Sequence, residues 1–543
     1  MVSGISQHLI VAPVVLPLFA GAVMLALGRE RHRNLNAAIN VASTFMLVTV
    51  AVALIKTADE ADGGLAGVYR LGDWPVPFAI VLVVDRLSAL MLLLTSLVAA
   101  AAVVFSLARW HRAGAYFHPL FQFLLMGLNG AFLTGDLFNL FVFVEVLLAA
   151  SYGLALHGSG SPRVKAAQHY IVVNLAASLL FLVGVSLIYG VSGTLNMANL
   201  AARISTAGTS DRAFVEAGAG ILGIAFLVKA GMWPLCFWLP ATYASAAPPV
   251  ASIFSILTKL GAYVVLRLWL LLFGQDAGPS AQYGGEWLLL GGMATVAFGA
   301  IGTLAAQGLA RLCAFSVLVS TGTVLAAVGM GHVGTTGGAL FYLVSSTLGI
   351  AALFLLIELV ERREPEGGLA AAQRETSREG EHMDDAREVG IAIPASMGML
   401  GVAFIGCTAV IAGLPPLSGF IAKFALLSDA LNAAGPQSGR VSAAAWALMV
   451  VLILSGLAAL VALTRAGIRA FWASPERSAP RVRVIEMAPV VMLLILCAVQ
   501  TVQAGPIMRF MQATALSLHA PQHYIRDVLG SPSKRPGLRA TGT

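Results

Sequence analysis

Fourteen apolar stretches run through the 543-residue chain, joined mostly by short loops. They lie near 8–28, 35–55, 78–108, 115–134, 136–157, 166–190, 213–240, 248–273, 287–306, 310–330, 338–360, 391–428, 441–464 and 485–513. A helix needs about 20 apolar residues to cross a bilayer, so the pattern predicts an all-α polytopic membrane protein with about fourteen spans. The runs lack the strict alternation of apolar and polar residues that a barrel strand carries. Only 11% of the residues are charged and 58% are hydrophobic, against about 25% charged in soluble domains. That balance excludes an ordinary soluble enzyme, a disordered chain and a disulfide-framed protein. The stretches 78–108 and 391–428 are too long for one straight crossing, which predicts tilt, a break or an extension beyond the lipid.

The net charge of +7 does not point to nucleic acid, because the basic residues flank the spans rather than forming one soluble face. With the loop after the first span taken as cytoplasmic, that side holds 18 of the 33 Lys and Arg, and the opposite side, tail excluded, holds 5. This is the asymmetry of the positive-inside rule, and it places both termini outside the cytoplasm. The first span lacks a basic leader and a cleavage site and reads as retained. GRERHRN at 28–34 reads as an ordinary basic loop. Residues 361–389 carry nine acidic residues and five arginines. They read as a solvated cytoplasmic linker, with a docking surface for a partner subunit as the alternative. From Ser531 onward the tail reads as disordered. Cys236, Cys313, Cys407 and Cys497 lie far apart in apolar runs and read as small core residues. No spacing of Cys and His points to a metal, and no nucleotide, haem or cluster motif predicts a cofactor.

Two spans are interrupted by proline near a lysine: FLVKAGMWPLCFWLP at 226–240, with Pro234, and GLPPLSGFIAKFALL at 413–427, with Pro415 and Pro416. Proline removes a backbone donor and clashes with the preceding turn. The two interruptions fall in spans 7 and 12, which cross in opposite directions, and paired broken helices of this kind predict inverted repeats. Spans 4–8 and 9–13 are then the two five-helix repeats, with packing kinks as the alternative. The chain divides into spans 1–3 (1–108), a first repeat (115–273), a second repeat carrying the charged linker (287–464), a last span (485–513) and a polar tail (514–543).

The most informative residues are ionisable groups deep inside apolar runs, each of which costs about 2.5–3.5 kcal/mol on insertion scales. Glu145 lies nine residues after Asp136, the expected N-cap of span 5, or about 13 Å along the helix. It faces away from Asp136 and needs a cation from another helix. Lys229 lies eleven residues before Pro240, Lys259 eleven after Pro248, and Lys423 about two turns after the Pro415–Pro416 break. One acid and three lysines thus share the middle of the membrane, as a hydrated proton relay or as static ion pairs. Burial disfavours the charged form of a lysine and a nearby carboxylate favours it, so a lysine beside an acid can switch. An arginine stays charged. Weaker candidates are Asp85, beside Arg86 near the outer part of span 3, with lipid-boundary water or another subunit as partner. His169 in span 6 reads as a core histidine or a cytoplasmic access point, and His332, in the Gly-rich turn before span 11, as the lining of an outer exit. Arg267 reads as a snorkelling side chain.

In TGDLFNLFVFVEVLLAASYG, FLVKAGMWPLCFWLP and LPPLSGFIAKF, the chain resembles the D subunit of the multisubunit Mrp (also Mnh or Pha) monovalent cation/proton antiporters. That family is itself similar to the antiporter-like subunits of respiratory complex I. The resemblance covers about residues 8–513. It implies fourteen helices with the inverted five-helix pair, a bacterial cell membrane, and activity only with the other Mrp subunits. It also implies that Glu145, Lys229, Lys259 and Lys423 form the proton-translocating axis. In span 11, Ser345, Ser346 and Ile350 stand where relatives often carry a histidine and a lysine, so the link from Lys259 to Lys423 falls to water, to serines or to His332. The leading expectation is proton influx coupled to Na⁺ or K⁺ efflux. The alternatives are a proton-pumping subunit of a complex I-like oxidoreductase or membrane-bound hydrogenase, and a scaffold that carries no ions.

Overall fold

The computed structural model describes residues 8–28, 32–61, 64–76, 79–205, 208–362, 395–432, 441–471 and 482–530. Most of the charged linker and the tail from Ser531 lie outside the described residues. Among the described residues there are nineteen α-helices: α1 (Ala12–Leu27), α2 (Arg33–Asp59), α3 (Arg86–Ser106), α4 (Phe117–Leu133), α5 (Leu137–Ala155), α6 (Ser161–Ser192), α7 (Met197–Ile204), α8 (Thr209–Ala230), α9 (Trp238–Ser245) and α10 (Pro248–Leu272) come first. They are followed by α11 (Gly285–Ala305), α12 (Leu309–Met330), α13 (Val333–Glu361), α14 (Ala395–Ala412), α15 (Ser418–Asn432), α16 (Ala443–Phe471), α17 (Val484–Val502), α18 (Ala504–His519) and α19 (Gln522–Gly530). Among the described residues, twelve helices are long and apolar enough to cross a membrane, and α1 and α4 are shorter apolar helices.

The layering follows from hydrophobicity on every side. α10 is buried along its length and α3, α12 and α13 nearly so, which makes these the centre of the bundle. The outer helices keep apolar faces exposed, including Val172, Leu175 and Leu179 on α6 and Ile453, Leu454 and Leu457 on α16. Such faces suit lipid or a sister subunit rather than water.

One expectation about the spans is met in part and another needs correction. The stretch 78–108 is broken, as its length requires, and its first part is a strand rather than a helix: Val81–Val84 form strand β2, paired antiparallel with β1 (Gly67–Arg70) in the register Gly67↔Val84 to Arg70↔Val81. Four consecutive Val and Leu suit a buried strand as well as a helix, and Asp85 then sets the helix start. Its carboxylate accepts from the Ser88 backbone N–H at 2.8 Å while the Ser88 hydroxyl accepts from the Asp85 N–H at 2.9 Å, a reciprocal cap. The last stretch, 485–513, is likewise two helices, α17 and α18, meeting at Gln503.

Both proline-marked spans are broken. α8 ends at Gly231 (φ +71°) and α14 at Gly413 (φ +80°), left-handed positions that glycine adopts without penalty. The next N–H reaches back five residues in each, Met232 to Leu227 O and Leu414 to Ala409 O, both at 2.9 Å. Each break also holds a cis peptide, Trp233–Pro234 in one and Pro415–Pro416 in the other. A second correspondence joins two helix pairs. A Cβ at Gly127 or Gly130 of α4 would collide with Leu147 and Phe143 of α5, and one at Gly299 or Gly302 of α11 with Val319 and Phe315 of α12. These four positions recur at one constant offset along the chain.

Candidate functional site

Asp136 caps α5 as expected, accepting from the Asn139 backbone N–H at 2.9 Å. From that fixed start the helix carries Glu145 to a half-buried position. There the carboxylate accepts a hydrogen bond from the Ser178 hydroxyl of α6. Lys229, near the end of α8 and only 7% exposed, has its Nζ 3.4 Å from the same hydroxyl. Acid and base are therefore joined through one serine.

Lys229 leads to Lys259 by helix contact. Gly261 of α10 lies so close to α8 that a Cβ there would sit 2.6 Å from the Ala230 nitrogen. Lys259 is fully buried, and its Nζ donates to Ser320 Oγ at 2.6 Å and Thr321 Oγ1 at 3.0 Å, both on α12. No carboxylate lies within ion-pair distance of it among the described residues. The hydroxyl chain continues from Ser320 to Ser346 of α13, 2.7 Å apart, and Ser346 donates to Tyr342 O.

On the neighbouring position of α13, Ser345 Oγ lies 2.8 Å from Ser418 Oγ. Ser418 is the first residue of α15, directly after the second break. Lys423 lies farther along α15, half-buried, and its Nζ donates to Ala412 O at 2.9 Å, the carbonyl at the end of α14. Helix ends leave their last carbonyls without partners in the helix, so the break itself supplies an acceptor for an ammonium.

The other sequence candidates lie apart from this row. Asp85 has a partner inside the chain. It receives both terminal nitrogens of Arg267, NH2 at 2.8 Å. Arg267 does not snorkel: it is 7% exposed, bonds Tyr263 OH at 3.3 Å and lies against the Tyr263 and Tyr524 rings. A carboxylate 182 residues away offers a guanidinium more than the interface does, because the pair is bidentate. His169 is exposed on α6, and His332 is an exposed residue at the start of α13 whose carbonyl accepts from Thr335 and Thr336. Sequence reasoning missed Ser178, Ser320, Thr321 and Ser418. Small hydroxyl residues are common between membrane helices, so nothing in their pattern sets these apart.

The region that holds the broken helices, the glycine-packed pairs and the lysine row matches known proteins. The membrane-domain model described as "NADH:quinone oxidoreductase/Mrp antiporter, TM" covers residues 134–458. The chain belongs to this family. A relative from Rhizobium meliloti (strain 1021), named as the D subunit of a probable K(+)/H(+) antiporter, is 58% identical over 530 residues, covering 97% of this chain and 98% of the relative. The D subunit of the Na(+)/H(+) antiporter from Alkalihalophilus pseudofirmus is 31% identical over 530 residues, covering 96% and 99%. Among solved structures, a chain of the Mrp complex from Dietzia sp. DQ12-45-1b superposes with a TM-score of 0.80 at 28% identity, covering 97% of this chain and all of that one. The match to the Mrp antiporter family thus spans both breaks and Glu145, Lys229, Lys259 and Lys423.

Proposed function

We propose that the chain is the proton-carrying subunit of a multisubunit monovalent cation/proton antiporter. Glu145, Lys229, Lys259 and Lys423 pass protons across the centre of the membrane, and proton influx drives cation efflux. The observation that carries this reading is the shared Ser178 hydroxyl between Glu145 and Lys229. A proton leaving the ammonium has an acceptor one hydroxyl away, without a helix having to move. Lys259 extends the route, because each hydroxyl in the Ser320–Ser346 pair both accepts and donates.

The two glycine-packed helix pairs and the two matched breaks support a pair of inverted repeats, spans 4–8 and 9–13. The excess of Lys and Arg in the loops after odd-numbered spans supports a cytoplasmic position for that face and an external one for both termini. Partner subunits of the antiporter would cover parts of the exposed faces of α6 and α16. The antiporter is favoured over a redox pump because near-full-length relatives at 58% and 31% identity carry antiporter names. The first of these names K⁺, so K⁺ is the first cation to test and Na⁺ the second.

The test is fluorescence-monitored pH change in everted vesicles containing the whole complex, on addition of K⁺ or Na⁺. Lys229→Ala should abolish the cation-dependent signal while the subunits still co-purify. Full exchange in that variant overturns the relay.

A further inference from the structure

The reading of 28–34 as an ordinary basic loop leaves a cavity unexplained. The N-terminal turn of α2, the turn after α3 (residues 110–116) and the start of α4 enclose about 230 Å³. Ligand pockets for drug-sized molecules run from about 300 Å³ upward, so this space fits a small group. Arg33, Asn36, His111, Arg112 and His118 line it, and no acidic residue does among the described residues. Neither arginine forms an ion pair among those residues.

The hydrogen bonds fix which atoms remain to bind. Arg112 Nε donates to His111 Nε2 at 3.3 Å, so that nitrogen accepts and the ring proton sits on Nδ1. Burial, then Arg112 and Arg33, hold His111 below the usual histidine range, and the ring stays neutral. Gln122 Nε2 donates to Asn40 Oδ1 at 2.6 Å, which turns the Asn40 amide nitrogen toward His118 Nδ1 at 2.8 Å. The proton of a neutral His118 is therefore on Nε2. His111 and His118 are 6% and 4% exposed, and His111 Nδ1 and His118 Nε2 are both buried without a partner. Buried donors of this kind are rarely left unpaired. Asn36 adds a third orphan, its Oδ1, while its amide donates to Gly28 O at 3.2 Å.

Two guanidiniums, two ring N–H donors and one amide acceptor around a small cavity describe an oxyanion site. Arginine forks match phosphate geometry, and the Asn36 oxygen suits a hydroxyl beside it. The adjoining helix α1 exposes Phe19, Val23 and Leu25, an apolar flank along which acyl chains can run. We propose that this cavity binds a phosphate group, presented by an anionic phospholipid such as phosphatidylglycerol at the face where basic loops gather.

The purified multisubunit complex, in detergent and phosphate-free buffer, is titrated calorimetrically with dioctanoyl phosphatidylglycerol, dioctanoyl phosphatidylcholine and inorganic phosphate. The glycerol lipid should bind about tenfold or more tighter than the choline lipid, the effect expected of two basic side chains at a membrane surface. The double variant Arg33→Gln/Arg112→Gln should lose that preference. Should it fail to assemble, Ala113→Trp, which fills the cavity mouth and leaves the histidines in place, should lose it too. Phosphate that competes with the lipid shows the site takes the free ion as well; silent phosphate assigns the lipid as the source. Equal affinity for the two lipids, or a preference that survives in an assembled variant, overturns the site.

Discussion

Around Lys229 the first broken span meets an acid, with Glu145 and the ammonium sharing the Ser178 hydroxyl. Around Lys423 the second broken span offers, among the described residues, the Ala412 carbonyl at 2.9 Å and no carboxylate within ion-pair distance. The backbones of the two breaks nonetheless agree in their left-handed glycine, in the N–H that reaches back five residues and in the cis proline bond. The offset that carries Gly127 and Phe143 onto Gly299 and Phe315 carries Glu145 onto Val317, a fully buried valine. The matched positions of the second half therefore carry the same close glycine packing and the same kind of break without the acid. In its place, one turn along the same helix, Ser320 and Thr321 receive Lys259. Backbone geometry decides where the lysines stand, and the choice between carboxylate and hydroxyl decides how firmly charge rests there.

That contrast can be broken most directly by making the two halves alike. Glu145→Gln removes the acid and keeps the shape, and cation-dependent proton exchange in vesicles should fall by about a hundredfold or more, the usual weight of a positioned proton-transfer group. Ser178→Ala keeps both charges but removes their shared hydroxyl. A hydrogen bond to a charged group contributes about 1.5–3 kcal/mol, so a loss of about tenfold to a hundredfold is expected in the same assay. Ser320→Ala with Ser346→Ala probes the second half and should cost less, several-fold, because Thr321 still accepts from Lys259. A larger loss there than in Ser178→Ala would reverse the comparison. The smallest effect is expected for His332→Ala, which should stay within about twofold, as exposed positions usually do. A severe defect in that variant would show that the second half depends on His332 rather than on its serines.

A different lock ties the first half together. Asp85→Asn leaves Arg267 buried without its anion, and breaking such a pair costs about 3–5 kcal/mol. Thermal unfolding of the purified complex should begin at a clearly lower temperature, with Asp85→Asn/Arg267→Met recovering part of the difference.

The apolar helices, both breaks and the four charges set inside apolar runs were legible from sequence because each leaves a costly or periodic trace. A charge inside an apolar run is expensive, and proline beside glycine interrupts a helix wherever it stands. Ser178, Ser320 and Ser418 leave no such trace, since a hydroxyl sits almost as comfortably on a membrane helix as an alanine does. The Asp85–Arg267 pair joins residues 182 positions apart, and no local pattern encodes that distance. Val81–Val84 misled for the opposite reason. Four consecutive apolar residues fit a strand and a helix equally well, and only pairing with Gly67–Arg70 decides between them.

The hairpin has one further consequence, for the order in which the chain assembles. Leu65, just ahead of β1, donates its N–H to the Asp527 carboxylate at 3.0 Å, and Arg70 reaches the Val528 carbonyl at 3.5 Å. Leu65 and Asp527 are separated by 462 residues, which a ribosome adds at about 5–20 residues per second. The early hairpin therefore waits from tens of seconds to more than a minute for the segment that clasps it. During that interval its backbone groups depend on solvent or a chaperone, and this corner of the molecule is among the last to close during biogenesis.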